Sequence, residues 1–157
     1  MHREIRRKDR QMPHEEAIEL LRTGEYGVLA TVNPDNTPYT IPISYLFDNN
    51  KLYFHSATQG QKIDNIKQNP AATFTVVGGV KPVQSKGDYS TLYESVIAFG
   101  KLHIVNDPAE MRHALYALTE KYFPDGMDGF EEAFAGSVGR VCVIVMDVEH
   151  ISGKANK

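Results

Sequence analysis

Three alternating segments follow one another across links too short for anything but antiparallel pairing. They are YGVLATV (26–32), YTIPISYLF (39–47) and KLYFHSA (51–57), joined by six residues and then by three. Parallel neighbours need a crossover of about a dozen residues or more. Within the second segment Tyr39, Ile41, Ile43, Tyr45 and Phe47 alternate with Thr40, Pro42, Ser44 and Leu46, the period of a strand. Pro42 cannot donate to a ladder, so it marks an edge, a bulge or a place where something other than a strand pairs. Asp48-Asn49-Asn50 reads as a hairpin turn.

Three more strands complete the pattern: ATFTVVG (72–78), Thr91–Val105 and RVCVIVMDV (140–148). In Thr91–Val105, the residues Val96, Ala98, Leu102 and Ile104 share a face, and Gly100 suggests a bulge or bend. RVCVIVMDV is apolar on both faces, which predicts a central position in the sheet. The stretch GGVKPVQSKGDYS (78–90) reads as an unpatterned loop. Helices are predicted over Pro13–Thr23, with Gly24 as C-cap, over residues 60–69, and over Pro108–Tyr122. The last carries a start signal in Asp107, Pro108 and Glu110. PDGMDG (124–129) breaks the chain, and EEAFAG (131–136) adds a turn or two of helix. The expectation is a single mainly β domain over 1–157: a small six-stranded antiparallel β-barrel with flanking helices.

Composition removes several classes of function. No run of 18 apolar residues occurs, so no helical membrane span is expected. The opening MHREIRRKDRQMP lacks the apolar stretch of a secretory signal. The one cysteine, Cys142, has no partner for an internal disulfide, and the expected compartment is the cytoplasm. Residues 1–10 carry a net +3 within a chain of net −3, so the rest is acidic and repels a phosphate backbone. Nucleic acid is not an expected partner. The basic arm (1–12) reads as a solvated or partner-docking terminus.

Catalytic and metal motifs are sparse. Gly-x-Ser-x-Gly, the Walker loop, Gly-x-Gly-x-x-Gly, His-Glu-x-x-His and Cys-x-x-Cys are all missing, and the six histidines lack metal-ligand spacing. No metal site is expected. The informative segment is His55-Ser56-Ala57-Thr58-Gln59-Gly60-Gln61-Lys62-Ile63, where a strand ends and a helix begins. Unpaired N–H groups gather at the positive end of a helix dipole. Lys62 falls in the first helical turn, where a cation is unfavourable unless an anion binds beside it. A phosphate dianion is the natural candidate. The same residues also permit a plain reading: Ser56 or Thr58 as a helix N-cap, Lys62 as a solvated charge, His55 as a structural histidine.

LYFHSATQGQKIDNI (52–66) resembles the flavin-phosphate segment of the split-barrel flavoproteins related to pyridoxamine phosphate oxidase, and within them the nitroimidazole-resistance family. RRKDR (6–10), YTIPISY (39–45), YESVIAFGKLHIV (93–105), EKYFPDG (120–126) and ISGKAN (151–156) match in order along the chain. The resemblance implies a homodimer of six-stranded split barrels holding FMN, or alternatively FAD, at the subunit interface. It implies that Ser56 and Lys62 bind the phosphate, and that the backbone around Thr40, Ile41, Pro42 and Ile43 lines the ring. It places His55 near the ring's reactive edge as the catalytic candidate, and Tyr93 and Ser95 near the interface and cofactor. The implied activity is flavin-dependent reduction of a small acceptor such as a nitroaromatic, with NAD(P)H as a transient donor. The alternative is a flavin or haem carrier built on the same barrel without turnover.

Overall fold

The structure, a computed structural model, describes residues 2–157. One antiparallel sheet contains β1 (Gly27–Val32), β2 (Pro38–Ile43), β3 (Leu46–Asp48), β4 (Lys51–Ala57), β5 (Ala71–Ser85), β6 (Asp88–Val105) and β7 (Val141–Asn156). Its order is β2-β1-β5-β6-β7-β4-β3, so the two edge strands are consecutive in the chain. Only Ser44 and Tyr45 join them, which limits Ile43 and Leu46 to a separation of about 11 Å. In a flat sheet that order would set β2 and β3 about 29 Å apart, at about 4.8 Å per strand. The sheet must therefore curl until its edges meet.

Closure is incomplete. β3 pairs with β4 only through Leu46–Tyr53, Phe47–Leu52 and Asp48–Lys51, which leaves Phe54–Ala57 with a free edge. β2 pairs with β1 alone. The two free edges diverge from Tyr45 and leave a split in the barrel wall.

The mainly β barrel with flanking helices is the expected architecture, with seven strands where six were predicted. YTIPISYLF breaks into β2 and β3 at Ser44–Tyr45. There the fully buried Tyr45 donates its hydroxyl to the Leu21 carbonyl at 2.5 Å. Its N–H donates to the Tyr122 hydroxyl at 2.9 Å. Both Tyr45 and Phe47 remain buried across the corner, so the alternation continues and hides the break.

The predicted loop over 78–90 is instead a hairpin arm, with β5 and β6 paired out to Ser85–Asp88 and a register shift between Gly78 and Lys81. Gly87, at φ 74°, serves the Lys86-Gly87 turn. β7 stops accompanying the arm at Tyr93–Asn156. Beyond that point neither face is buried against a core, so no alternation marks the strands. β7 is central, as expected, pairing with β4 and β6, but it runs on from Val148 to Asn156. The predicted bulge is present between Phe99 and Gly100.

The flanking helices are α1 (His14–Thr23), α2 (Gln61–Gln68), α3 (Pro108–Tyr122) and α4 (Phe130–Ser137). Asp107 caps α3 by accepting the Glu110 N–H at 2.9 Å. Gly24 is the C-cap of α1, as expected, with φ −60° and ψ 143°. Packing demands glycine there, because a Cβ would lie 2.5 Å from the Tyr45 hydroxyl. Inside the barrel Phe74 meets Tyr45 and Phe54 edge-on, at centroid distances of 4.6 and 5.2 Å. α3 covers the outer face of the sheet, where Ala114 joins Val105, Val143 and Val145. The basic arm docks on its own barrel: Met12 is buried and its N–H donates to the Gly153 carbonyl at 3.0 Å.

Candidate functional site

The split has two rims. On β2, Thr40 and Pro42 are exposed, while Ile41 and Ile43 lean on the core. On β4, His55 and Ser56 point to opposite faces. His55 is exposed beside Val143, and Ser56 is buried beside Cys142. Beyond β4 the chain passes over Thr58-Gln59-Gly60 into α2. Gly60, at φ 132°, is the N-cap, and no side chain caps the helix. The reading of Ser56 or Thr58 as an N-cap is therefore overturned. The first-turn N–H groups lack a side-chain acceptor and are open to a ligand.

The Ser56 hydroxyl donates to the Ala57 carbonyl at 2.8 Å, so it must rotate before it can donate to an anion. Lys62 occupies the first turn of α2 and is half-buried. Burial pushes the Cys142 thiol up, and the Lys62 charge acts on it in the opposite sense. Lys62 thus stands near the β7 residue paired with Ser56, at the α2 end of the split.

A polar tie that the sequence reading missed sets the position of α2. Asn65, buried, donates to Thr31 Oγ1 at 3.1 Å and to Asn33 Oδ1 at 2.9 Å. Gln61 donates to the same Asn33 oxygen at 2.8 Å. Asn33 in turn closes the β1–β2 turn through its N–H to the Thr37 carbonyl. The helix terminus is therefore fastened to the root of the β2 rim. The available signal was a polar residue set beside Ile63 and Ile66 on the buried side of a short helix.

Tyr93 and Ser95 do not join this site. They pair with Asn156 and Lys154, whereas Ser56 pairs with Cys142. That is twelve residues along β7 for Ser95 and fourteen for Tyr93, about 40–46 Å of strand at about 3.3 Å per residue. Thr40, Ile41, Pro42, Ile43, His55, Ser56 and Lys62 border the split; Tyr93 and Ser95 belong to a different end of the barrel.

The corner where the split begins is held by Lys121. Its Nζ donates to the Gly24 carbonyl at 2.7 Å and the Tyr45 carbonyl at 2.9 Å, and sits 3.9 Å from the Tyr45 ring centroid. Burial pulls its pKa from 10.5 down to about 8. Between those values the unfolded chain binds more protons than the folded one, so this lysine makes stability rise with pH. Burial raises the Cys142 thiol and the Tyr45 phenol, and these oppose the rise above about 9 and 10. Comparison with Lys121→Met isolates the lysine. The wild-type urea midpoint is expected to gain on the variant's from pH 8 to pH 10, and parallel pH profiles would refute this.

Among the described residues no group of three or more His, Cys, Asp or Glu is placed to hold a metal ion, and no helix is long and apolar enough to cross a membrane. The α2 terminus, uncapped by any side chain and bearing Lys62 in its first turn, is an arrangement suited to an anion.

Residues 13–155 match the family model described as pyridoxamine 5′-phosphate oxidase. The uncharacterized protein RA0666 of Rhizobium meliloti (strain 1021) is 27% identical over 150 residues, covering 93% of this chain and 94% of its own. A Bacteroides thetaiotaomicron protein described as one of 5-nitroimidazole antibiotic resistance is 25% identical in sequence. Its structure has a TM-score of 0.78, covering 92% of this chain and 88% of its own. An FAD and haem binding protein from Mycobacterium smegmatis, at 22% identity, shares the fold with a TM-score of 0.77, covering 96% of this chain and 74% of its own. With the family model matched along nearly the whole barrel, the chain belongs to the pyridoxamine 5′-phosphate oxidase family.

Proposed function

We propose that the split binds FMN and that the protein is a flavin-dependent reductase of a small acceptor such as a nitroaromatic. The observation that carries this reading is the uncapped α2 terminus, bearing Lys62, at the end of a split whose rims are free strand edges. The residues fit the group. First-turn N–H groups and Lys62 meet a phosphate, and Gly60 puts no side chain in the way. The flavin, when bound, supplies the redox chemistry. The chain supplies the rest. The β2 rim orients the ring, and Pro42 presents no N–H there. His55, exposed on the opposite rim, would give a proton to the acceptor, histidine being the side chain suited to that task near neutral pH.

The reading includes a homodimer. A two-fold pair would bring the Tyr93 and Ser95 end of one barrel to the split of the other, the self-complementary contact that such symmetry produces. A two-stranded ribbon is marginal when isolated, and Val80 and Tyr89 on the hairpin arm are exposed enough to need cover. Light scattering is expected to give twice the chain mass of 17.6 kDa.

The absorption spectrum of the purified protein tests the cofactor. A yellow flavin spectrum, with FMN identified after extraction, is expected; a strong Soret band would identify a haem carrier instead. Turnover of NAD(P)H dependent on a nitroaromatic tests the reductase, and slow oxidation indifferent to the acceptor would make the protein a carrier. His55→Ala is expected to keep the flavin absorbance while turnover falls about a hundredfold or more. Unchanged turnover would remove His55 from the mechanism.

A further inference from the structure

The hydrogen bonds that tie α2 to the β1–β2 turn take their direction from one exposed carboxylate. Asp35 accepts from the Thr37 hydroxyl at 2.5 Å and from the Thr37 N–H at 3.0 Å. These bonds hold its carboxyl below the ordinary value, so at neutral pH it is ionised and can only accept. With its one proton committed there, Thr37 Oγ1 must accept from Asn33 Nδ2, at 3.0 Å. Asn33 Oδ1 is thereby turned to α2, where Gln61 Nε2 and Asn65 Nδ2 both donate to it, at 2.8 and 2.9 Å. Asn65 Oδ1 is left buried with no donor. An unpartnered buried acceptor is unfavourable, but turning the amide over would set its oxygen against the Asn33 oxygen. The strained amide is kept because the tie requires it.

Gln61 and Asn65 stand one helical turn apart on one face of α2, so successive turns are pinned to a single oxygen. That fixes the rotation of the helix as well as its distance from the turn. Lys62 follows Gln61 by one residue, about 100° round the axis, so the rotation decides where its ammonium points. Packing of Ile63 and Ile66 into the core is non-directional and does not supply this. The anchor is stiff. Asn33 N–H donates to the Thr37 carbonyl and Asn36 N–H to the Asn33 carbonyl, both at 2.9 Å, and Asn36 takes a left-handed φ of 66°. β2 leaves this turn at Pro38, so the turn that holds α2 also starts the β2 rim. We propose that Asn33 is a positioning residue: acting through Gln61 and Asn65, it sets the spacing between the β2 rim and the α2 terminus, and so selects a flavin that carries a phosphate over one that does not. The inference rests on the flavin reading of the split and adds to it the group that measures the ligand.

Fluorescence titrations of the full chain with FMN and with riboflavin, which has the ring but no phosphate, test this. Wild type is expected to bind FMN the tighter. Asn33→Ala is expected to lower that preference about tenfold, with riboflavin affinity within about twofold of wild type. In a Lys62→Ala background the same change should cost less, since both residues act on one phosphate. Gln61→Ala removes one of the two donors from an exposed position and should shift the preference the same way by less. It carries the test if Asn33→Ala fails to fold, as judged by its melting curve. An unchanged preference overturns the proposal, and so does equal weakening of both flavins, which would make Asn33 a structural residue only. If wild type binds neither flavin, or does not distinguish them, the phosphate placement at α2 fails and the proposal falls with it; failure confined to the Asn33 and Gln61 variants leaves that placement standing.

Discussion

Lys62→Ala is expected to weaken FMN binding about ten- to a hundredfold, the loss of one charge-assisted hydrogen bond. The argument is electrostatic. Lys62 sits in the first turn of a helix whose terminus no side chain caps. A cation in that place is opposed by the helix dipole, by about 0.3–1 kcal/mol at an exposed site. A bound phosphate reverses the sign, and lysine and helix terminus then act together on it. The same variant without flavin is therefore expected to be as stable as wild type, or slightly more so. Fluorescence titration with FMN and a thermal melt of the flavin-free protein check the two halves. Undiminished affinity would take the phosphate away from α2. A flavin-free variant that melts well below wild type would show Lys62 to be a structural residue.

Phe74→Ala is expected to cost about 3–5 kcal/mol of stability. That is a large share of the roughly 5–15 kcal/mol that holds a domain folded. Phe74 is fully buried and bridges Tyr45, at the corner of the split, to Phe54, just before the β4 rim residue His55. Its ring also fills the space where Gly27 has no side chain; a Cβ there would lie 2.3 Å from Phe74 Cζ. Rigid strands on every side leave little scope for the gap to collapse, which places the cost near the upper end. Urea unfolding measures it directly, and the melting point should fall by about 6–20 °C. A loss under about 1 kcal/mol would mean that the barrel relaxes around the cavity, contrary to the packing described.

Features set by neighbours a few residues apart were legible in the chain. Asp107 and Pro108 announced α3, Asp48-Asn49-Asn50 a hairpin turn, and Gly100 the β6 bulge. His55 and Ser56 were separable onto two faces by the strand period alone. Lys62 was assignable to a first helical turn, and the resemblance carried by LYFHSATQGQKIDNI pointed to the family that the full-length match established. Other features needed the folded chain. The Lys121 clamp joins residues 97 and 76 positions apart. The hairpin arm has no buried face to imprint a pattern. The distance between Ser95 and Ser56 is a property of register along β7, which pairs with Ser56 near its start and with Ser95 near its end. Turns, caps and amphipathic faces are paid for locally, so short stretches of chain record them. The corner at Tyr45 and the split it opens arise because two edge strands, joined by two residues, must meet around a core drawn from every strand of the sheet, and no window of sequence contains that constraint.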